Sequence, residues 1–426
     1  MSGRATVKRQ FGHRARLALS PVEVSAADAQ AHAARTMWNL LHAWWQMMPK
    51  DKRTFADADA AIRQARKDVD FLAVLPAQAA QAVLKAYVQA WKNCWEGRAG
   101  APEFKGRFRS AMSVDVPQGR DLHVQRVHRR WGQVNLPKVG RVRFRWTKGL
   151  PVGKAAGSEN RLTGARLVRD AVGWHIAFRL TTVEAEPEPH PGPEVGIDVG
   201  VAVPLTLSDG TTFTHGEWLT EKEKNKLLLL EQRAAHRKTH RKPGEHTSRR
   251  PHRTYDQIAK LRAKAKRRAN DWQQQTTTAI ARAYGTVVVE ALAITNMVKS
   301  AKGTIDAPGK NVAQKAGLNR AIAAEAWGRT VTMLTYKTAR NGGNLVKVPA
   351  PGTSQRCSVC GHTTPGSRES QAAFVCKNPD CGWSGNADHN GARNVLHLYR
   401  IGLVAIPAAG RAVVRRARRV KPPTAR

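Results

Sequence analysis

An α+β, multidomain fold is predicted, with a small β-barrel interrupted by helices in the N-terminal half and an α/β domain with a metal-bound insert in the C-terminal half. Three observations carry the prediction. Runs such as VHRRWGQVNLPKVGRVRFRW and ARLVRDAVGWHIAFRLTTV alternate with period two and break at Gly, Pro and Asn. The apolar run Val287–Val289 ends in Glu290 and lies between long helical stretches. Four of the five cysteines fall within residues 357–381.

Taken in order, residues 4–19 read as a basic strand, ended by Pro21. Helices follow from an N-cap at Ser25 to about Met48, then over 56–69 and 77–95, each last pair separated by Pro or a polar break. Trp38, Trp44, Trp45, Trp91 and Trp95 repeat at helical spacing, which favours core packing over base stacking. Cys94 reads as a small buried hydrophobe. From Glu103 the pattern turns to strands, whose outward positions carry Arg143, Arg145, Arg166 and Arg169, either a solvated face or a grip on a phosphate backbone. The segment EAEPEPHPGPE, rich in Pro and Glu, is a linker. Beyond it, VGIDVGVAVPLTLSDG reads as a hairpin with Asp198 in its first strand. An aspartate in so apolar a strand needs a metal or another partner, or sits hydrogen-bonded in a bend beside Gly196 and Gly200.

Residues 220–283 read as two antiparallel basic helices. His236, His240, His246 and His252 make a second metal site conceivable there, but the cationic surroundings favour a phosphate-facing or solvated surface. After Glu290, residues 318–339 form one amphipathic helix, then a glycine turn and the strand NLVKVPA. Cys357 and Cys360 make one CxxC pair; Cys376 and Cys381 make a second with four residues between them. Two such pairs across a loop of roughly fifteen residues fit tetrahedral zinc held by four thiolates. Gly361 and Gly382 stand where a metal knuckle turns. Asp388 follows, at the start of a short helix. The basic tail 401–426 reads as disordered.

Composition narrows the partners. Lys and Arg number 71 against 32 Asp and Glu, a formal charge of +39, which calls for a polyanion bound over a long track. No apolar run, signal segment or lipidation motif supports a membrane, so nucleic acid is favoured. The cysteine usage fits a reducing, cytoplasmic setting. Asp198, Glu290 and Asp388 would repel one another if they converged, unless divalent cations neutralised them. Such an oxygen cluster is the usual way to hold two Mg²⁺ ions for in-line attack on phosphorus.

GIDVGVAVPLTLSDG, VVVEALAITNM and TSQRCSVCGH…CKNPDCG…NADHNGARN resemble, in order and spacing, the three RuvC segments and zinc ribbon of the TnpB family. These proteins are transposon-encoded and related to compact type V CRISPR effectors. LNRAIAAEAWGRTVTMLTYKTARNGG and APEFKGRFRS are similar to two further family segments, and the likeness spans most of residues 85–396. It implies an RNA-guided DNA endonuclease, with guide RNA and double-stranded target DNA as partners and a monomer as the expected state. It implies a wedge barrel over 1–24 and 103–183, a helical recognition insert over 25–102, and a linker over 184–194. A RuvC domain of RNase H type would occupy 195–351 and 386–400, with a zinc ribbon inserted at 352–385. Asp198, Glu290 and Asp388 would be the Mg²⁺-binding catalytic triad; Cys357, Cys360, Cys376 and Cys381 would hold structural zinc. The wider second cysteine pair departs from the commoner spacing, and His389 receives no role. A compact CRISPR effector with array-derived guides, a non-cleaving RNA-guided DNA binder and a strand-joining transposase are the alternatives.

Overall fold

The computed structural model describes residues 5–107, 110–153, 157, 159–240, 249–304, 307–370 and 372–405. The expected disorder of the tail past 405, and His246, lie outside these residues. The chain divides at Ala185/Glu186 into two compact units, and the described fold is α+β in both.

The first unit begins with β1 (Thr6–Ala18), then α1 (Pro21–Met47), α2 (Phe55–Asp68), α3 (Asp70–Ala73) and α4 (Ala77–Trp95). It continues with β2 (Ser113–Val116), β3 (Gln125–His128), β4 (Trp131–Leu136), β5 (Gly140–Arg145), β6 (Arg161–Asp170) and β7 (Gly173–Ala185). The α1 helix starts four residues before the expected cap. Ser20 accepts from the Glu23 N–H while the Glu23 carboxylate accepts from the Ser20 N–H, and Pro21 takes the first helical position, where its missing N–H leaves nothing unpaired. Pro21 therefore opens a helix as well as ending the strand.

The seven strands run in the order β2-β6-β7-β1-β5-β4-β3. The long β1 pairs antiparallel with β7 from Thr6↔Ala185 to Arg16↔His175, then with β5 at Leu17↔Phe144 and Ala18↔Arg143, so one strand joins two sheet halves. Among the described residues no pairing joins β2 to β3, the two end strands of this order. Alternation buries Phe144, Leu167, Ile176 and Phe178 and leaves Arg143, Arg145, Arg166 and Arg169 exposed. In the helices, Trp38 and Trp45 pack on the buried Tyr87, while Trp45, Trp91 and Trp95 form a stacked series whose last ring is 63% exposed. Cys94 is half-buried, since it lies in the last turn of α4, where the helix leaves the core.

The second unit holds β8 (Glu194–Val199), β9 (Leu205–Leu207), β10 (Thr212–Phe213), α5 (Glu221–Thr239), α6 (Arg249–Ala283), β11 (Thr286–Glu290) and α7 (Ile294–Met297). Then come α8 (Val312–Glu325), α9 (Trp327–Arg340), β12 (Asn344–Val348), β13 (Ala373–Val375), β14 (Ser384–Asn386) and α10 (Ala387–Arg400). Five strands run β10-β9-β8-β11-β12, with β8, β11 and β12 parallel. Val287 and Val289 face a core with Ile280 of α6 and Leu334 of α9, while Val288 faces Val395 and Leu396 of α10. Helices on both faces explain why Val287, Val288 and Val289 are all apolar, without alternation.

One expected helix is two. Ala326 adopts φ 50°, and the break separates α8 from α9. The residues on either side are held by other elements: Glu325 accepts from His215 Nε2 at 3.0 Å, and Trp327 Nε1 donates to the Gly200 carbonyl at 3.3 Å. Helical periodicity carries no sign of such a kink.

Candidate active site and metal centre

Two adjacent parallel strands present the first two acids. Ile197 lies opposite Val289, so Asp198 and Glu290, the next residue on each strand, share the same end of the sheet. Asp388 enters from the first turn of α10, capped by the Asn386 side chain, which accepts from the His389 N–H. The helix can come this close because each side of the contact carries a glycine, Gly196 on β8 and Gly391 on α10. A Cβ on Gly196 would stand 2.3 Å from the Ala392 carbonyl oxygen, and one on Gly391 would stand 3.3 Å from Asp198 Cγ.

The acids act on one another. Burial, then the negative charges of Glu290 and Asp388, pushes the Asp198 carboxyl up to about 7, while Arg368 opposes the rise. Burial also raises Glu290, offset by the hydrogen bond from Thr353 Oγ1 and by Arg368. Arg368 Nη2 donates to Asp388 Oδ1 at 2.7 Å, so a guanidinium sits among the carboxylates.

This has a consequence for stability. The folded Asp198 keeps its proton up to about pH 7, whereas the unfolded residue loses it near 3.8. The unfolded chain therefore binds fewer protons over that window, and stability falls as pH rises through it. Without divalent ions, Asp198→Asn is expected to melt roughly 3–8 °C above wild type at pH 8, from about 1–2 kcal/mol, with the gap closing near pH 4. Scanning calorimetry checks this; an Asn variant no more stable at pH 8 would show that burial does not strain the carboxylate.

The four cysteines form the one group of three or more His, Cys, Asp and Glu ligand atoms within 4.8 Å of one another among the described residues. The three acids are not that close. Cys357 Sγ and Cys381 Sγ are 3.9 Å apart, and Cys360 Sγ and Cys376 Sγ 3.6 Å. Tetrahedral zinc with sulfur at 2.3 Å requires edges of about 3.8 Å, so the cluster fits that ion. Gly361 and Gly382, with φ 76° and 56°, turn the chain after each pair. The His362 N–H holds the Cys360 thiol down to about 6, while burial pushes Cys376 up to about 12, so a full set of thiolates needs a cation. The β13–β14 hairpin buries Phe374 against Trp383 beneath the cluster.

This insert is joined to the acids directly. Asn390 accepts from the Ser358 N–H and donates to the Arg356 carbonyl, and Asn394 donates to the Thr353 and Arg356 carbonyls. Both asparagines are buried on α10, one turn apart. Sequence reasoning passed over them, although their spacing in NADHNGARN was a readable signal; it also passed over Thr353 and Arg368, which carry none. His389, given no role, donates from Nε2 to the Ser208 carbonyl at 3.0 Å. His236 and His240 stack at 4.0 Å without completing a metal cluster among the described residues. No described helix is long and apolar enough to cross a membrane.

The family described as "Probable transposase" matches residues 177–301, and the one described as "Cas12f1-like, TNB domain" matches 327–395. A protein of Escherichia coli (strain K12) named as an RNA-guided DNA endonuclease, InsQ, is 34% identical over 322 residues, 75% of this chain and 74% of its own. The chain belongs to the TnpB family. A second relative, from Streptomyces pristinaespiralis and also named as an RNA-guided DNA endonuclease, is 26% identical over 402 residues, 92% of this TnpB-family chain and 89% of its own. A Cas12f1 structure solved with sgRNA and target DNA aligns with a TM-score of 0.50 at 14% identity, covering 88% of this chain and 83% of that one, which shows a common fold.

Proposed function

We propose that this TnpB-family chain is an RNA-guided DNA endonuclease that cuts its target by two-metal phosphodiester hydrolysis, beside a short flanking motif read by the protein. The observation that carries the reading is the convergence of Asp198, Glu290 and Asp388, from elements 92 and 98 residues apart, on one electrostatic site. The relatives named as RNA-guided DNA endonucleases support it.

In this reading the five-stranded unit is a RuvC domain of RNase H type, residues 352–385 are its zinc ribbon, and the seven-stranded sheet with its helices is the wedge and recognition insert. Asp198, Glu290 and Asp388 would hold two Mg²⁺ ions; their all-oxygen donor set and mutual repulsion fit hard cations. Bound there, the ions supply an activated water and a counter-charge for the leaving oxygen. Asp198 and Glu290 are fixed by adjacent strands, Asp388 by a capped helix, and Thr353 orients Glu290. Arg368 neutralises Asp388. Sequence choice rests on pairing between guide and target, while the +39 charge grips backbones. The protein would work as a monomer in the cytoplasm, at the nucleoid.

The description "Probable transposase" favours a second reading, strand joining by the same acids. RNA dependence separates the two. The full chain with its co-purified RNA is expected to cut a matching plasmid with added Mg²⁺ and to lose that activity after ribonuclease treatment. Activity that survives the ribonuclease overturns guided cleavage in favour of the transposase.

A further inference from the structure

A cavity of about 360 Å³ opens on the outer side of α10, lined by Ser208, Ser358, Arg393, Leu396, His397 and Arg400. Arg393, His397 and Arg400 stand at i, i+4 and i+7 on one face of the helix. None of the described lining residues is acidic. One carboxylate reaches the set from outside, Glu194, which accepts from Arg400 Nε at 3.1 Å. Arg393 has no hydrogen-bond or ion-pair partner among the described residues. Arg356 adds a further guanidinium next to the cavity, donating from Nη2 to His397 Nε2 at 3.0 Å.

Exposed arginines on so basic a chain are by themselves a solvated surface. Two further observations distinguish this place. Ser358 Oγ is buried and has no hydrogen-bond partner, and neither has Arg356 Nε. An unpaired buried donor is costly, and native structures keep few of them. Here two occur within three residues, beside a cavity that already holds cations and a second hydroxyl, Ser208. Hydroxyl and guanidinium donors, with Glu194 engaging Arg400 alone among them, suit a tetrahedral oxyanion.

We propose that this cavity is a second phosphate-binding site, which seats a backbone phosphodiester of a polynucleotide strand running along α10. Arg393 lies five residues past Asp388, about 7.5 Å along the helix axis, and Arg400 about 18 Å. A strand held there is led away from the acids at a fixed distance. Phosphate binding itself stands on the cavity alone; that the strand is the DNA being cut rests on the nuclease reading.

The test is arginine footprinting on the full chain without Mg²⁺. Phenylglyoxal modification of Arg393 is read by mass spectrometry with a fluorescent 12-nucleotide DNA, the same sequence as RNA, or a DNA of uncharged methylphosphonates. Ordinary DNA is expected to slow modification of Arg393 at least fivefold, and the methylphosphonate DNA is expected to leave it unchanged. Ser358→Ala, which alters no charge and keeps the N–H bonded to Asn390, is expected to weaken DNA binding about fivefold at fixed salt, the worth of one hydrogen bond. Protection by RNA alone would overturn the assignment to the cut strand, and unchanged Arg393 modification with every probe would overturn the site. So would a Ser358→Ala protein that binds DNA as wild type does. No cleavage is read, so failure of the three acids to support cutting would leave this footprint standing, and its failure would leave them standing.

Discussion

Asp198→Ala is expected to lower target cleavage at least about 10³-fold while guide RNA binding stays within about twofold of wild type. The size follows from the loss of a charge that positions metal, worth several kcal/mol in the transition state. The selectivity follows from location: Asp198 lies at the end of β8 with Gly391 against it, whereas the long basic surfaces that suit RNA lie elsewhere in the chain. The measurement is a single-turnover plasmid assay with the assembled RNA complex, beside a filter-binding titration of the RNA. Cleavage at the wild-type rate would remove Asp198 from the catalytic set. The stabilisation expected for Asp198→Asn in metal-free protein is the same physics seen from the other side: the residue that strains the fold is the one the proposed chemistry needs.

The second large effect concerns the cysteines. Cys357→Ser is expected to abolish stoichiometric zinc binding and to lower cleavage by more than about tenfold, since zinc contributes much of the folding energy of so small an insert. The structure makes this a sharper expectation than a loosened flap. The first knuckle is tied to α10 through Asn390 and Asn394, Thr353 bonds Glu290, and Arg368 bonds Asp388. Loss of zinc therefore reaches the carboxylates themselves. Zinc content by atomic emission and cleavage by the same plasmid assay check it. A zinc-free variant that cuts at the wild-type rate would reduce the insert to a peripheral module.

The strands and helices were legible where a single periodicity governs them: β1, α2, α4, the β8–β9 hairpin and β11 all follow burial of one face or two. The start of α1 was missed because Pro21 both stops a strand and opens a helix, and only the Ser20–Glu23 box decides between these. The break at Ala326 was illegible because it is imposed by contacts of Glu325 and Trp327 with distant residues. Asp198 and Glu290 stood out because carboxylates in apolar runs are costly, and Asp388 because it opens a helix just after the cysteine pairs. Arg368 did not, since one arginine among 71 basic residues carries no mark until the fold sets it beside Asp388. The Ser358 cavity was hidden for the same reason: an unpaired hydroxyl is a property of packing.

The close packing of α10 on β8, through Gly196 and Gly391, also bears on how the protein is made. Translation at roughly 5–20 residues per second puts about 5–20 seconds between the emergence of Glu290 and that of Asp388. During that interval β8 and β11 have no α10 to cover them, and the third carboxylate does not yet exist. In the proposed reading a nascent chain can thus meet RNA before the cutting site is complete. There α10, the last of the described helices, covers the apolar face and brings in the third carboxylate in one event.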